Sequence, residues 1–140
     1  MIVLKKSLLK QADKTLPELN YAVELQRLAA EVGFDWPDIQ GVISKIHEEI
    51  DEVTAEINTP NNQARLLDEM GDLLFACTNL ARHLNIDPEQ ALHAGNQNFY
   101  QRFSMLEDII RENNQDINKY SLQELEHIWN EVKKKNISSK

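Results

Sequence analysis

Cysteine, glycine, proline and aromatic residues are all scarce in this sequence. Its 140 residues include one cysteine, four glycines, four prolines and 6% aromatics. The single cysteine, Cys77, excludes an intrachain disulfide, and we expect it to be buried in an apolar helix face rather than to act as a nucleophile. The scarcity of glycine and proline leaves long stretches open to helix formation. The length suits one domain with a buried core.

Long apolar runs and a surplus of positive charge are also missing. The longest uninterrupted apolar run, Leu73–Cys77, is far too short to span a membrane. The N-terminus places an apolar stretch before two lysines, which reverses the order of a signal peptide. We therefore expect a soluble cytoplasmic protein. The formal net charge of −8 argues against binding to nucleic acid polymers, but a divalent metal can bridge an acidic site to a nucleoside triphosphate.

Two acidic clusters, each inside an apolar pattern of helical period, organise the chain. The first contains Glu49 and Glu52, and the second contains Glu69 and Asp72. Each pair is spaced i,i+3, so its carboxylates project from one stripe of a helix, beside the apolar face. The turn-like segment 58–62 makes the two helices antiparallel neighbours, which lets the four carboxylates converge. Such convergence favours a hard cation, although a solvated acidic helix face fits the spacing equally well.

The remaining periodicity predicts an all-α fold, a helical bundle of four to five helices that is completed by dimerisation. We predict an N-terminal arm or short helix over residues 1–14, a helical domain over 15–135 and a flexible tail over 136–140. The third long helix is expected to end near Glu112. Capping boxes mark three helix starts: Thr15 with Glu18, Asp87 with Gln90, and Ser121 with Glu124.

Familiar catalytic motifs are incomplete. His47-Glu48 begins a zinc-protease HExxH pattern, but Asp51 occupies the place of the second histidine. The sequence has no glycine-rich phosphate loop. The acidic pattern is what remains to be explained.

This pattern, Glu48-Glu49-x-x-Glu52 followed after sixteen residues by Glu69-x-x-Asp72, resembles the signature of the MazG family. These are all-α nucleoside triphosphate pyrophosphohydrolases related to dimeric dUTPases. Further blocks resemble the C-terminal catalytic domain of long MazG proteins: Val32–Trp36, Glu69–Phe75, Asn79–Leu84 and Asn96–Phe103. The resemblance covers roughly residues 19–132. It implies that residues 15–135 are a MazG-like catalytic domain in a stand-alone short form.

The resemblance implies a magnesium-dependent hydrolase, with Mn²⁺ as an alternative metal, that splits (deoxy)nucleoside triphosphates into the monophosphate and pyrophosphate. The implied role is house-cleaning of the nucleotide pool, by a homodimer or a dimer-of-dimers tetramer. The implied metal ligands are Glu49, Glu52, Glu69 and Asp72. Glu48 is the implied base or second-metal ligand, and Lys45 and Arg102 stabilise phosphate charge. The implied substrate-binding residues are Lys45, Glu48, Arg65, Asp68, Asn98, Arg102 and Trp129.

One segment departs from the family pattern. Where the family often has Lys-Phe-x-Arg-Arg-Phe in the third long helix, this sequence has Asn98–Phe103, so a lysine and an arginine are missing. Arg102 is then the only cation in that segment. Its side chain lies about 60° from the centre of the apolar face, where snorkelling to the surface is the alternative to phosphate binding.

Other readings stay open from the sequence alone. The acidic stripe also fits a non-catalytic helical interaction module, and the family relationship also fits a uracil-specific dUTPase-like enzyme. For Lys45, the alternative to phosphate binding is an i,i+4 surface pair with Glu49. Wide apolar faces favour at least a dimer, and they include Phe99, Phe103, Leu106 and Trp129.

Overall fold

The computed structural model describes residues 7–138, with side chains to residue 136. This part of the chain contains five α-helices, two short 3-10 helices and no strand. The α-helices are α1 (Glu18–Glu31), α2 (Ile39–Ile57), α3 (Gln63–His83), α4 (Pro88–Glu112) and α5 (Leu122–Ser138). The predicted all-α class is confirmed.

The described chain divides into two compact units, with the boundary between Ala91 and Leu92. The first unit contains α1, α2, α3 and the start of α4, and the second contains the rest of α4 and α5. No helix within residues 7–138 is long and apolar enough to cross a membrane. Of the predicted N-terminal arm, residues 1–6 lie outside the described residues and Leu8–Gln11 form a 3-10 helix. The predicted domain limits stay a prediction.

Helix α1 ends in a Schellman motif that turns the chain towards α2. The N–H groups of Gly33 and Phe34 donate to the carbonyls of Ala30 and Ala29 at 3.0 and 3.1 Å. Gly33 has φ +87°, a left-handed conformation that residues with a Cβ rarely adopt. The connection that follows, which leads to α2, contains Trp36.

Helices α2 and α3 form an antiparallel hairpin at the centre of the first unit. Asp38 caps α2, because its Oδ1 accepts a hydrogen bond from the Gly41 N–H at 3.2 Å. After the connection 58–62, the buried Asn62 donates to the backbone carbonyl and the carboxylate of Glu56, which ties the start of α3 to the last turn of α2. Helix α1 also packs on α3.

Each unit has a small apolar core. In the first unit the buried apolar side chains include Leu28, Val42 and Ala76, one from each of the three helices. In the second unit Leu106, Ile110 and Val132 are almost fully buried, with partly buried apolar residues packed around them. Leu106, which we expected to be poorly covered in one subunit, is therefore covered by its own chain.

Two expectations at the level of single residues are wrong. The Thr15–Glu18 capping box is absent, because Asp13 accepts hydrogen bonds from both the N–H and the hydroxyl of Thr15 at 2.9 and 2.6 Å. Helix α1 begins after Pro17, without a side-chain cap. Cys77 is exposed rather than buried.

Candidate active site

Three acidic side chains of the first unit converge between α2 and α3. One carboxylate oxygen from each of Glu49, Glu69 and Asp72 lies within 4.8 Å of the other two. Opposite ligands of an octahedral Mg²⁺ site are about 4.2 Å apart, twice the usual Mg–O distance of about 2.1 Å. The three oxygens are thus nearly close enough to share one hard cation, and carboxylate oxygens are the ligands that such cations prefer.

In the absence of a cation, bringing these carboxylates together is unfavourable for the stability of the folded protein. Partial burial raises the pKa of Glu69, and the negative charges of Glu52, Asp72 and Glu49 raise it further. Glu49 is the most enclosed of these groups, with 7% of its surface exposed. Carboxylates placed together in this way repel one another, so a cation that neutralises them stabilises the folded state. The donor set and its repulsion therefore fit a divalent metal.

The other residues of the acidic motif take different positions. Glu52 is exposed and lies outside the converging set. Among the neighbouring charges, however, that of Glu52 has the largest effect on the pKa of Glu69, which it raises. Glu48 is exposed and pairs with Lys45, whose Nζ lies 3.4 Å from Glu48 Oε2 and 3.0 Å from Glu49 Oε1. The hydrogen bond to Glu49 is the main reason that the pKa of Lys45 is raised. The i,i+4 pair foreseen as the alternative role of Lys45 is present.

A cavity of about 790 Å³ opens beside the carboxylates. Glu49, Asp72 and Lys45 lie on its wall, and the aromatic residues Phe34 and Trp36 lie in the same lining. The volume falls within the range of small-molecule sites, and an apolar wall with a few polar groups is typical of them. A ligand in this cavity has an aromatic surface and an acidic cluster within one site.

The Trp36 ring is seated on the first turn of α2. A Cβ atom on Gly41 would lie 2.8 Å from Trp36 Cε3, which is closer than two carbon atoms can approach. Glycine at this position therefore allows the indole to pack against the helix backbone. The aromatic wall of the cavity depends on this contact.

An ion-pair network stands beside the aromatic wall. Arg82 donates to Asp35 Oδ1 at 2.6 Å, and His83 Nε2 lies 2.9 Å from the same oxygen. Partial burial raises the pKa of Asp35, but the hydrogen bonds from Arg82 and His83 and the Trp36 N–H more than offset it, so the pKa is lowered overall. The network ties the segment after α1 to the end of α3 and so holds one side of the cavity.

The remaining predicted substrate-binding residues have local partners or exposed positions. Arg65 is exposed and pairs with Glu56 at 3.1 Å, and Asp68 is exposed. Asn98, Arg102 and Trp129 belong to the second unit, and their roles stay predictions.

In the second unit, Arg102 Nε donates to the side-chain oxygen of Asn136 at 3.2 Å. Trp129 packs on Phe99 with ring centroids 5.5 Å apart, and Phe99 stacks on Phe103 at 5.8 Å. Arg102 therefore has an amide partner on α5.

Several cavity residues had no role assigned from the sequence. Phe34, Trp36, Asn79 and Arg82 lie in the blocks that resemble MazG proteins, so the resemblance was a usable signal for them. Gln26 lies outside those blocks, between Leu25 and Arg27 of α1. No motif marks it, and only the packing of α1 on α3 brings it to the cavity.

The acidic site lies in a part of the chain that is similar to a known protein domain. Residues 38–102 match the MazG nucleotide pyrophosphohydrolase domain, and this range includes all three converging carboxylates. These residues are similar to a MazG domain. The resemblance drawn from the sequence is confirmed.

Similarity to two bacterial proteins extends beyond the MazG domain. The chain is 41% identical over 132 residues to the nucleoside triphosphate pyrophosphohydrolase of Escherichia coli strain K12, covering 94% of this chain and 50% of that protein. It is 36% identical over 129 residues to the nucleoside triphosphate pyrophosphohydrolase/pyrophosphatase MazG of Thermotoga maritima, covering 92% and 49%. The chain thus spans about half the length of these curated relatives.

Proposed function

We propose that this protein hydrolyses nucleoside or deoxynucleoside triphosphates to the monophosphate and pyrophosphate, with Mg²⁺ as the metal and Mn²⁺ as a substitute. The observation that carries the proposal is the meeting of Glu49, Glu69 and Asp72, of which Glu49 and Asp72 lie on the wall of an aromatic-lined cavity. All three lie within the residues that match the MazG nucleotide pyrophosphohydrolase domain. The names of the relatives point to the same reaction. House-cleaning of the nucleotide pool, in the cytoplasm where that pool lies, is the role that this reaction serves.

Individual residues of the chain have separate roles in the proposed reaction. Glu49, Glu69 and Asp72 would hold the cation, and we propose Glu52, whose charge raises the pKa of Glu69, as a further ligand. When bound, the metal supplies positive charge opposite the triphosphate and makes a water easier to deprotonate. The hydrogen bond from Lys45 fixes the Glu49 carboxylate, and its ammonium adds positive charge at the same wall of the cavity.

Hydrolysis also needs a proton acceptor and anion-binding groups. Glu48 is exposed and adjacent to Lys45, which suits a base that exchanges protons with solvent. In the net reaction water cleaves the bond between the α and β phosphates, and pyrophosphate leaves. We propose Arg65, Asp68, Asn98, Arg102 and Trp129 as further substrate-binding residues.

We further propose that the working unit is at least a dimer, formed through an apolar face of α2 and α3. The face consists of exposed side chains: Ile50, Ile57, Leu67, Met70 and Leu74. Large apolar patches of this kind mark interaction sites, because their exposure to water is unfavourable. A second copy of the chain would cover them, giving a homodimer or, from two such pairs, a tetramer.

A panel of NTPs and dNTPs incubated with and without Mg²⁺ tests the proposed reaction. Wild-type protein should release pyrophosphate only when Mg²⁺ or Mn²⁺ is present, and Asp72→Ala should abolish this release. Asp51→Ala is the matched control, since it removes an exposed carboxylate from α2 that is not in the converging set. Full activity of Asp72→Ala would contradict the proposal.

The same panel separates the alternatives. Absence of turnover and of any effect of metal on thermal stability would favour a non-catalytic interaction module. Turnover of dUTP alone would favour a uracil-specific enzyme.

A further inference from the structure

A short segment ahead of α1 contributes a side chain to the cavity. Residues 7–12, called the N-terminal flap below, consist of the 3-10 helix Leu8–Gln11 with one residue at each end. Leu9 lies in the cavity lining, yet 45% of its surface is exposed. Phe34 of the same lining is 80% exposed. Two large apolar side chains of the lining therefore remain in contact with water, and closure over a ligand would remove them from it.

The flap is weakly attached to the rest of the first unit. Ala12 at its end is 6% exposed, and the 3-10 helix packs on α1. Every hydrogen bond made by the described residues 7–16 stays inside this segment. A segment with little buried surface and no hydrogen bond to its neighbours opens at a low free-energy cost. The flap is therefore the part of the lining that can move most easily.

The junction with α1 suits a hinge. Ala12 ends the 3-10 helix in an extended conformation, with φ −68° and ψ 139°. Its N–H donates to the Leu9 carbonyl at 3.1 Å, so this bond lies on the flap side of the Ala12 Cα–C bond. Rotation about the Cα–C bond would turn the 3-10 helix as a unit and would break no hydrogen bond of α1. Hinges of this kind are a few residues at the end of an element.

We propose that residues 7–12 close over a nucleotide bound at the cavity, with Leu9 as the side chain that covers it. This rests on the proposed function, which supplies the ligand. Closure removes apolar surface of Leu9 from water and shields the ligand from bulk solvent, which strengthens the electrostatic interactions in the site. The flap also carries the exposed Lys10, so its approach to an anionic triphosphate is electrostatically favourable.

Partial digestion with trypsin, with and without ligand, tests the closure. Trypsin cuts after Lys10, and cleavage requires this part of the chain to open locally. The ligands are Mg²⁺ with the α,β-methylene analogues of dATP, dCTP, dGTP and dTTP, and calorimetry shows which of them bind. We expect a saturating bound analogue to slow cleavage after Lys10 by about tenfold or more, because it holds the flap closed. Cleavage after Lys119, an exposed residue of the second unit, is the internal control and should keep its rate.

Leu9→Ala tests the covering side chain. We expect this variant to bind the analogue about threefold or more weakly than the wild-type protein, because closure removes less apolar surface from water. Leu84→Ala is the matched control, since Leu84 is a leucine of the first unit that is 48% exposed and lies outside the cavity lining. It should keep the wild-type affinity. If Leu9→Ala does not fold, digestion of the wild-type protein decides.

The outcomes separate this proposal from the proposed reaction. Equal cleavage after Lys10 with and without a bound analogue would overturn the flap, and so would equal affinity of Leu9→Ala and the wild-type protein. Protection of Lys10 without hydrolysis of any triphosphate would support the flap and contradict the reaction. Hydrolysis without protection would contradict the flap alone, and a protein that binds none of the analogues would contradict both proposals.

Discussion

Glu69 is the residue in which the conflict between stability and function is most visible. Burial and four neighbouring carboxylates raise its pKa, so its charge is unfavourable in the folded protein without metal. Sites that hold charges of one sign are expected to weaken the fold that carries them. Removal of one of these charges should therefore change the thermal stability of the protein with and without metal.

We expect Glu69→Gln to raise the melting temperature by a few degrees in the absence of metal and to lose most of the stabilisation by Mg²⁺. The first effect follows from the removal of one like charge, and the second from the loss of one carboxylate ligand. Thermal unfolding with EDTA and with millimolar Mg²⁺ measures both. A variant that is stabilised by Mg²⁺ as strongly as the wild-type protein would show that Glu69 is not a ligand.

Asp35 should make the free energy of unfolding depend on pH. Its pKa is lowered in the folded protein, so its contribution to stability is present above its unfolded pKa of about 3.9 and is lost as the pH falls through the folded value. We expect Asp35→Asn to lower the free energy of unfolding at pH 7 by about 1–2 kcal/mol, because the partly buried Arg82 and His83 lose a charged acceptor.

The difference between Asp35→Asn and the wild-type protein should shrink as the pH falls from about 3.9 towards the lower folded pKa of Asp35, below which both side chains are neutral. Urea unfolding between pH 3 and pH 7 measures it, with Asp51→Asn as a control that removes an exposed carboxylate. A difference that stays constant over this range would rule out the ion pairs as its source.

At the scale of residues, spacing predicted part of the site. Helical geometry is regular, so i,i+3 carboxylates on adjacent helices were expected to meet, and the structure brings Glu49, Glu69 and Asp72 together. The position of Gln26 in the cavity lining was not predictable, since it depends on how α1 packs on α3. The exposure of Cys77 was also missed, because periodicity shows that a face is apolar but not which chain covers it.

At the scale of elements, the helices and several of their ends were readable. The third long helix ends at Glu112 as expected, and Asp87 accepts a hydrogen bond from the Glu89 N–H at its start. Ser121 and Glu124 form the reciprocal bonds of a capping box at 3.1 and 2.9 Å. The box predicted at Thr15 failed because a nearer acceptor, Asp13, competes for its hydrogen bonds.

The start of α2 links an element to the cavity through Trp36. We expect Gly41→Ala to raise KM for nucleotides several-fold, because the new Cβ would meet the indole ring at 2.8 Å and displace it from the aromatic wall. Steady-state kinetics measures the change, and kcat should move less than KM because the metal site is not touched.

Gly95→Ala is the matched control for Gly41→Ala. Nothing lies within 4 Å of a Cβ at Gly95 in α4, so this substitution should raise stability by about 0.5–1 kcal/mol and leave KM unchanged. An unchanged KM in Gly41→Ala, with the protein folded, would separate Trp36 from nucleotide binding.

At the scale of the whole molecule, the apolar face of α2 and α3 determines the assembly that we expect. Leu74 is 49% exposed in the middle of this face. Wild-type protein at micromolar concentration should scatter light as a dimer or a tetramer, and Leu74→Glu should shift it towards the 16.2 kDa monomer, because a charge would be buried in the interface.

The control for Leu74→Glu is Leu122→Glu, which changes an exposed leucine of the second unit and should keep the assembly. A wild-type protein that is a monomer with full activity would contradict the dimer proposal. It would also leave the exposed leucine and isoleucine side chains of α2 and α3 without a function.

The central claim is that the acidic site serves cleavage between the α and β phosphates, and the first products measure this most directly. A carboxylate-held metal can also serve a phosphatase that removes the terminal phosphate, so the site's charge does not decide between the two. Deoxynucleoside triphosphates incubated with the enzyme and Mg²⁺ should give monophosphate and pyrophosphate in equal amounts by ³¹P NMR. Orthophosphate should appear only after an inorganic pyrophosphatase is added. Diphosphate and orthophosphate as the first products would contradict the account.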